Sequence, residues 1–362
     1  MTEMWVNMGP QHPFNHGLWK LRAKLDGEYV TDADPVIGYL HRGWEKECES
    51  RKYPQIIPMA DRLCYCSSMS WSHLYTLAVE DLFGVELPTR AAWIRTLTDE
   101  INRVASHFMW LAAIGTDLGN FTIFLYGLRE RELAMDLFVR LCGQRMTTNF
   151  PRIGGIRNEL PPNFLDHCVR FANHVERRMD TDFDPLTIDS KIFQDRMIGV
   201  GKISKEEAIN MGATGPNLRG SGVDWDVRKN DPYVMYEELD FEAATHDSCD
   251  AWGRWQVRVE EIRTSCDLIR QCCERMPKDG PIRVKVPRRA PEGVGCSRIE
   301  DPRGESICYL VGDGTDQPYR CKIRSPNFVN TSLAKRLCVG YKIADIPAIM
   351  GTIDICIGET DR

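Results

Sequence analysis

Two segments of this chain repeat apolar residues at three- and four-residue steps. Ile94, Leu97, Ile101, Val104, Phe108 and Leu111 do so with Arg95, Asp99, Glu100 and Arg103 between them, and Trp255, Val259, Ile262, Cys266, Ile269, Cys273 and Met276 repeat the pattern later. Residues so spaced share one helix face, so each segment predicts a long amphipathic helix and the two together predict a bundle. No stretch reaches the roughly 18 consecutive apolar residues that a bilayer span needs. Any membrane role is therefore expected to come through partners.

Further helices are expected at Glu130 to Cys142 and Phe164 to Met179, separated by Pro161-Pro162 and closed by Pro185. At the N-terminus Trp19, Leu21, Ala23 and Leu25 alternate with Lys20, Arg22 and Lys24 up to Asp26-Gly27. That alternation is a half-buried strand entering a hairpin; with Met4 to Met8 and Tyr29 to Ala33 it predicts a small antiparallel sheet. A second hairpin is expected from Ile307, Tyr309 and Val311 and, after Asp313-Gly314, Tyr319, Cys321 and Ile323. Gly199 to Asp231 reads as loops and Pro277 to Gly295 as a basic connector. The expected organisation is one α+β unit: an N-terminal sheet and loop over 1–40, a helical bundle over 41–280, and a hairpin with a docked tail over 281–362.

The 46 Lys plus Arg against 52 Asp plus Glu leave a formal charge of −6, which argues against a nucleic-acid partner. The start of the chain lacks the basic stretch and apolar core of a secretory signal. Fourteen cysteines occur without a single CxxC, so free thiols in the reducing cytoplasm are expected rather than a disulfide scaffold.

Several local sequences could carry chemistry. His12 and His16 lie four apart in a loop stiffened by Pro10, Pro13 and Gly17; they could be a metal pair, or could serve only to cap backbone groups in a turn. Cys64 and Cys66 form a CxC, a poor chelate alone, in Asp61-Arg62-Leu63-Cys64-Tyr65-Cys66. The chain ends on Asp354-Ile355-Cys356-Ile357-Gly358-Glu359-Thr360-Asp361-Arg362. Charges at His41 to Glu45, Asp117, Glu130 to Glu132 and Glu300 to Glu305 are costly next to apolar helices unless paired, so buried ion pairs are expected among them.

Together these motifs resemble the 49-kDa subunit of respiratory complex I, the family that includes subunits of reduced-deazaflavin dehydrogenases and is related to the large subunit of NiFe hydrogenases. The resemblance runs nearly end to end: GPQHPxxHG at Gly9 to Gly17, HRG at His41 to Gly43, DRLxY at Asp61 to Tyr65, and EINRxxSHFMWLxxxxxDLG at Glu100 to Gly119. It continues with ERE at Glu130 to Glu132, Gly154-Gly155, EDPRGE at Glu300 to Glu305, and a terminal DIxxGExDR. It implies a mostly helical, NiFe-hydrogenase-large-subunit-like fold.

In the hydrogenases four thiolates hold nickel and iron, from an RxCxxC and a DPCxxCxxH. Here Cys64 and Cys356 occupy the first place of each pair, Ser67 and Glu359 the second, and Arg362 that of the histidine. Serine and carboxylate replace soft thiolates poorly, so a vestigial site without metal is expected, with Glu359 and Arg362 suited to a salt bridge across it. In complex I the vacated cavity is the head of a quinone chamber. The resemblance implies that His16 and Tyr65 face the quinone, that Asp117 pairs with His16, and that His12, Arg42 and Arg62 face the cluster of the neighbouring subunit. Quinone reduction takes two electrons and two protons, so two donors near its carbonyl oxygens are needed.

The chain has no cluster-binding motif of its own. The resemblance therefore implies an iron-sulfur partner carrying a 4Fe-4S cluster, together with a 30-kDa-like subunit and a membrane subunit forming the quinone channel. Its place would be the cytoplasmic face of the cell membrane, in a proton-pumping oxidoreductase whose donor (NADH, reduced deazaflavin or ferredoxin) is met by other subunits. The acceptor would be menaquinone, ubiquinone or a phenazine. Thr147 stands where many quinone-reducing members carry a histidine that couples cluster potential to pH; threonine cannot titrate, which suits a low-potential acceptor. Two other readings remain: an energy-converting NiFe hydrogenase using Cys64 and Cys356, and a redox-inert docking scaffold.

Overall fold

The computed structural model describes residues 3–12 and 15–362; the loop residues Pro13 and Phe14 lie outside them. The N-terminal alternation forms the expected sheet. β1 (Met4–Met8), β3 (Lys20–Asp26) and β4 (Tyr29–Val36) pair antiparallel in the order β1-β3-β4, and Trp19, Leu21, Ala23 and Leu25 are buried. The two residues of β2 (Asn15–His16) leave this sheet and pair elsewhere.

Short helices α1 (Trp44–Cys48) and α2 (Tyr53–Ala60) lead to α3 (Ser68–Phe83), α4 (Thr89–Asp117) and α5 (Phe121–Cys142). The expectation that α4 is amphipathic fails for a physical reason: it is surrounded. Arg95, Asp99, Glu100 and Arg103 are as buried as Ile94 and Leu97, because each charge meets another. Arg95 donates to both oxygens of Glu80, His73 bonds Asp99 at 2.5 Å, and Glu100 pairs with Arg228 at 3.2 Å and with Arg103 at 3.6 Å. Helix α5 packs closely on α4 at Gly127, where a Cβ would lie 2.9 Å from the Phe108 carbonyl oxygen.

Helix α6 (Phe164–Arg178) runs on through a wider turn at Met179–Phe183, and Pro185 sits at the start of the short Asp184–Leu186 helix. The predicted later helix spans Ala251–Arg275 and is capped by Asp250, whose carboxylate accepts from the Gly253 amide. A large core joins its apolar face to α4, α5 and α6.

The predicted C-terminal hairpin gains a strand that the sequence pattern placed partly in a connector. β7 (Glu292–Asp301), β8 (Gly304–Asp313) and β9 (Pro318–Arg324) form a three-stranded antiparallel sheet. Glycines and charges in β7 mask its alternation. EDPRGE is the tight turn of β7 into β8, with Glu300 opposite Glu305. The tail is docked throughout. The Ile346–Ile353 helix, β10 (Ile355–Cys356) and the Ile357–Asp361 helix are buried.

Candidate functional site

β2 and β10 pair in parallel, Asn15 with Ile355 and His16 with Cys356. This pairing joins the N-terminal loop to the tail, and Gly358 brings both to the segment after α2: a Cβ on Gly358 would lie 2.5 Å from the Leu63 carbonyl oxygen. Three motifs far apart in the chain thus meet.

His16 Nε2 lies 3.2 Å from the Asp354 carboxylate, and Arg303 Nη2 lies 3.1 Å from the same oxygen. Burial alone would raise the Asp354 pKa; the Arg303 guanidinium, the His16 hydrogen bond and Arg258 overcome it and bring it down to about 2. Asp354 is thus ionised at neutral pH, and an acceptor-only carboxylate requires His16 to carry its proton on Nε2.

The Tyr65 ring stands edge-on to His16, with centroids 5.9 Å apart at 87°. Tyr65 is in a turn before α3 and is 39% exposed. Burial of its hydroxyl, with the neighbouring Cys66, Cys356 and Cys64, raises its pKa, so the phenol holds its proton.

Behind this pair lies the thiol cluster. The Cys64 and Cys356 sulfurs and a Glu359 oxygen all lie within 4.8 Å of one another, buried. Burial opposes ionisation of Cys64, but hydrogen bonds from Cys356 and Cys66 and the charge of Arg303 bring its pKa well below the thiol range. Burial pushes Glu359 up, as do Cys64 and Asp301, and one of its oxygens has no hydrogen-bond partner among the described residues.

These donors do not fit a nickel-iron centre. The Ser67 hydroxyl donates to Asp301 at 2.7 Å, and Arg303 already supplies positive charge beside the sulfurs. The expected Glu359–Arg362 salt bridge does not form: Glu359 accepts from Ser325, while Arg362 pairs with Glu45 and lies over the Phe328 ring. The Ile357–Asp361 helix turns these two side chains to different neighbours.

Asp117 does not pair with His16 as the resemblance implied. It sits at the end of α4, 3.8 Å from His12 Nδ1, whereas His16 is taken by Asp354. Burial raises the Asp117 pKa to about 7 and lowers that of His12. Arg42 and Arg62 are exposed near Tyr65, with Arg42 donating to the Arg62 carbonyl at 2.9 Å. The backbone of 38–42 is fastened to the tail: Asp361 accepts from the Gly38 and Leu40 amides. Glu130 is buried between Arg129 and His174, and Glu132 pairs with Arg145 at the surface, both structural pairings.

Sequence reasoning assigned no role to Asp354, Arg303 or Asp301. Their signal was present in EDPRGE and the terminal DIxxGExDR, but nothing local told which charges would meet.

The 49-kDa subunit profile of the respiratory-chain NADH dehydrogenase matches residues 117–293 and 284–362. This chain belongs to that family. A subunit of the NADH-quinone oxidoreductase of Geobacillus thermodenitrificans (strain NG80-2) is 43% identical over 361 residues, covering 99% of this chain and 98% of the relative. Its counterpart in Bacillus mycoides (strain KBAB4) is also 43% identical to this chain, with the same coverage. Among solved structures, a chain of the membrane-bound sulfane sulfur reductase, an archaeal respiratory membrane complex, superposes with a TM-score of 0.96. It is 34% identical and covers 99% of this chain and 98% of that one. The hydrogenase-like fold and the role of a subunit in a complex I-like redox assembly follow from these matches. No helix among the described residues is long and apolar enough to cross a membrane.

Proposed function

We propose that this chain, with an iron-sulfur partner, forms the head of a chamber where a quinone-type acceptor (menaquinone, ubiquinone or a phenazine) is reduced. The observation that carries this reading is the edge-on pair of His16 and Tyr65, one ring held by an ionised carboxylate and the other open at the surface. Two electrons enter from the partner's 4Fe-4S cluster. His16 and Tyr65 supply the two protons that complete the hydroquinone.

Asp354 accepts from Nε2 of His16; when the ring is protonated on both nitrogens, Nδ1–H is the donor to one carbonyl oxygen of the acceptor, and His16 is left as the neutral Nε2–H form once that proton is given up. The Tyr65 hydroxyl serves the other. Arg303 keeps Asp354 ionised, so the imidazole is oriented before the acceptor arrives. The exposed Arg42 and Arg62, with half-buried His12, would face the cluster subunit, where positive charge raises the cluster potential. Asp117, titrating near neutrality beside His12, would take part in moving charge toward a membrane subunit. A 30-kDa-like subunit and a cytoplasm-facing position complete the proposed assembly.

The test is Tyr65→Phe in the assembled complex. Acceptor reduction should fall by about 10² or more, while donor-dependent reduction of the cluster continues at the wild-type rate. Undiminished acceptor turnover would support a redox-inert scaffold instead, and stoichiometric nickel in the preparation would support a hydrogenase. Sulfane sulfur reduction faster than quinone reduction would favour the chemistry named for the archaeal relative.

A further inference from the structure

A cavity of about 790 Å³ shares no lining residue with the His16–Tyr65 site and is lined on its apolar side by Tyr53, Ile57 and Phe83. One wall is the extended segment 282–288. Its side chains alternate, with Ile282, Val284 and Val286 half-buried and Arg283 and Lys285 exposed. At its start it is paired: the Ile156 amide donates to the Ile282 carbonyl at 3.1 Å and the Val284 amide to that of Gly154 at 2.9 Å. From Lys285 to Arg289 no backbone hydrogen bond is made among the described residues. The segment is a half-satisfied strand edge, which an added strand can complete.

The charge is one-sided. Lys52, Arg152, Arg283, Lys285 and Arg288 line the cavity against a single carboxylate, Asp316, which lies 2.6 Å from Lys52. Among the described residues Arg283, Lys285 and Arg288 form no ion pair, in a chain whose formal charge is −6. Arg152 is half-buried and held below its usual pKa by burial and by the nearby Arg157 and Arg283, with Asp61 opposing them. Protection of an edge from aggregation would need only scattered charge and Pro287. A basic rim around an apolar floor goes beyond that need.

We propose that this groove is a docking site for an extended, acidic polypeptide segment of a partner subunit. Its backbone would continue the edge at 285–288, its carboxylates would meet Arg283, Lys285 and Arg288, and one apolar side chain would rest on Tyr53 and Phe83. A lipid headgroup could use the charges but not the unpaired backbone. The assignment does not depend on the acceptor or on the roles of His16 and Tyr65.

The experiment is zero-length carbodiimide cross-linking of the intact purified complex, with amine labelling of Lys285 before and after subunits are stripped by salt. A cross-link from Lys285 to an Asp or Glu of another subunit, with labelling rising at least several-fold on stripping, is the expected result. Equal labelling of Lys285 in both states would overturn the proposal, as would cross-links confined to this chain or a second copy of it. Anionic phospholipid co-purifying with the complex and lost in Lys285→Gln, with all subunits retained, would also overturn it. The labelling is done on the wild-type complex, so it decides the matter even where Lys285→Gln fails to assemble.

Discussion

His16 and Cys356, from opposite ends of the chain, are register partners in a two-residue parallel pairing. One end supplies the ring that faces Tyr65, and the other supplies Asp354 against it and the buried Cys356 and Glu359. Whatever disturbs the docking of the tail must therefore disturb the histidine.

Asp354→Asn tests this coupling through stability. The folded pKa of about 2 lies below the ordinary 3.8, so ionised Asp354 contributes stability that is full above about pH 4 and lost as pH falls toward 2. The linkage is worth about 2 kcal/mol. The variant should melt below wild type at pH 7, and the gap should narrow in acid. A gap independent of pH between 2 and 7 would contradict the pairing.

Asp117 behaves in the opposite sense. Burial raises its folded pKa to about 7, so stability present below the unfolded value near 3.8 is lost as pH rises through 7. Asp117→Asn should be more stable than wild type at pH 8 and equal to it near pH 4. Difference infrared spectroscopy should show a carboxylic-acid band titrating near neutrality that the variant lacks.

The buried arginine network predicts a large structural cost. Arg219 bonds Glu300 at 2.8 Å and also bonds Glu261, all three of them buried. Arg219→Met leaves two carboxylates without their shared cation and should cost about 3–5 kcal/mol. Thermal unfolding of the purified subunit measures it, and a loss under 1 kcal/mol would argue that the network relaxes.

Thr147 is a β-branched residue at φ +47°, a conformation such side chains rarely adopt. Histidine tolerates that region better, so Thr147→His should fold normally. In a redox titration of the partner's cluster it should steepen the pH dependence of the midpoint; unchanged slopes would separate this position from the cluster.

Much of the fold was legible beforehand. The periodicity of 94–111 and 255–276 located the two long helices and the alternation of 19–25 the first sheet, because backbone geometry repeats every 3.6 or 2 residues whatever surrounds it. Strand β7 was not legible, since Gly293, Gly295 and its charged residues break the alternation that a hairpin leaves.

The motifs by themselves determined the family and nominated His16, Tyr65, Cys64 and Cys356, since an ordered set of rare local sequences survives as a pattern without any knowledge of contacts. Which carboxylate holds which histidine was decided only by the tertiary structure. Asp354 and Asp117 are equivalent as acids on paper, and the parallel pairing of β2 with β10 sets one against His16, while the length of α4 carries the other to His12. Charge pairing acts over a few ångströms, and distances that short between remote residues are fixed by packing.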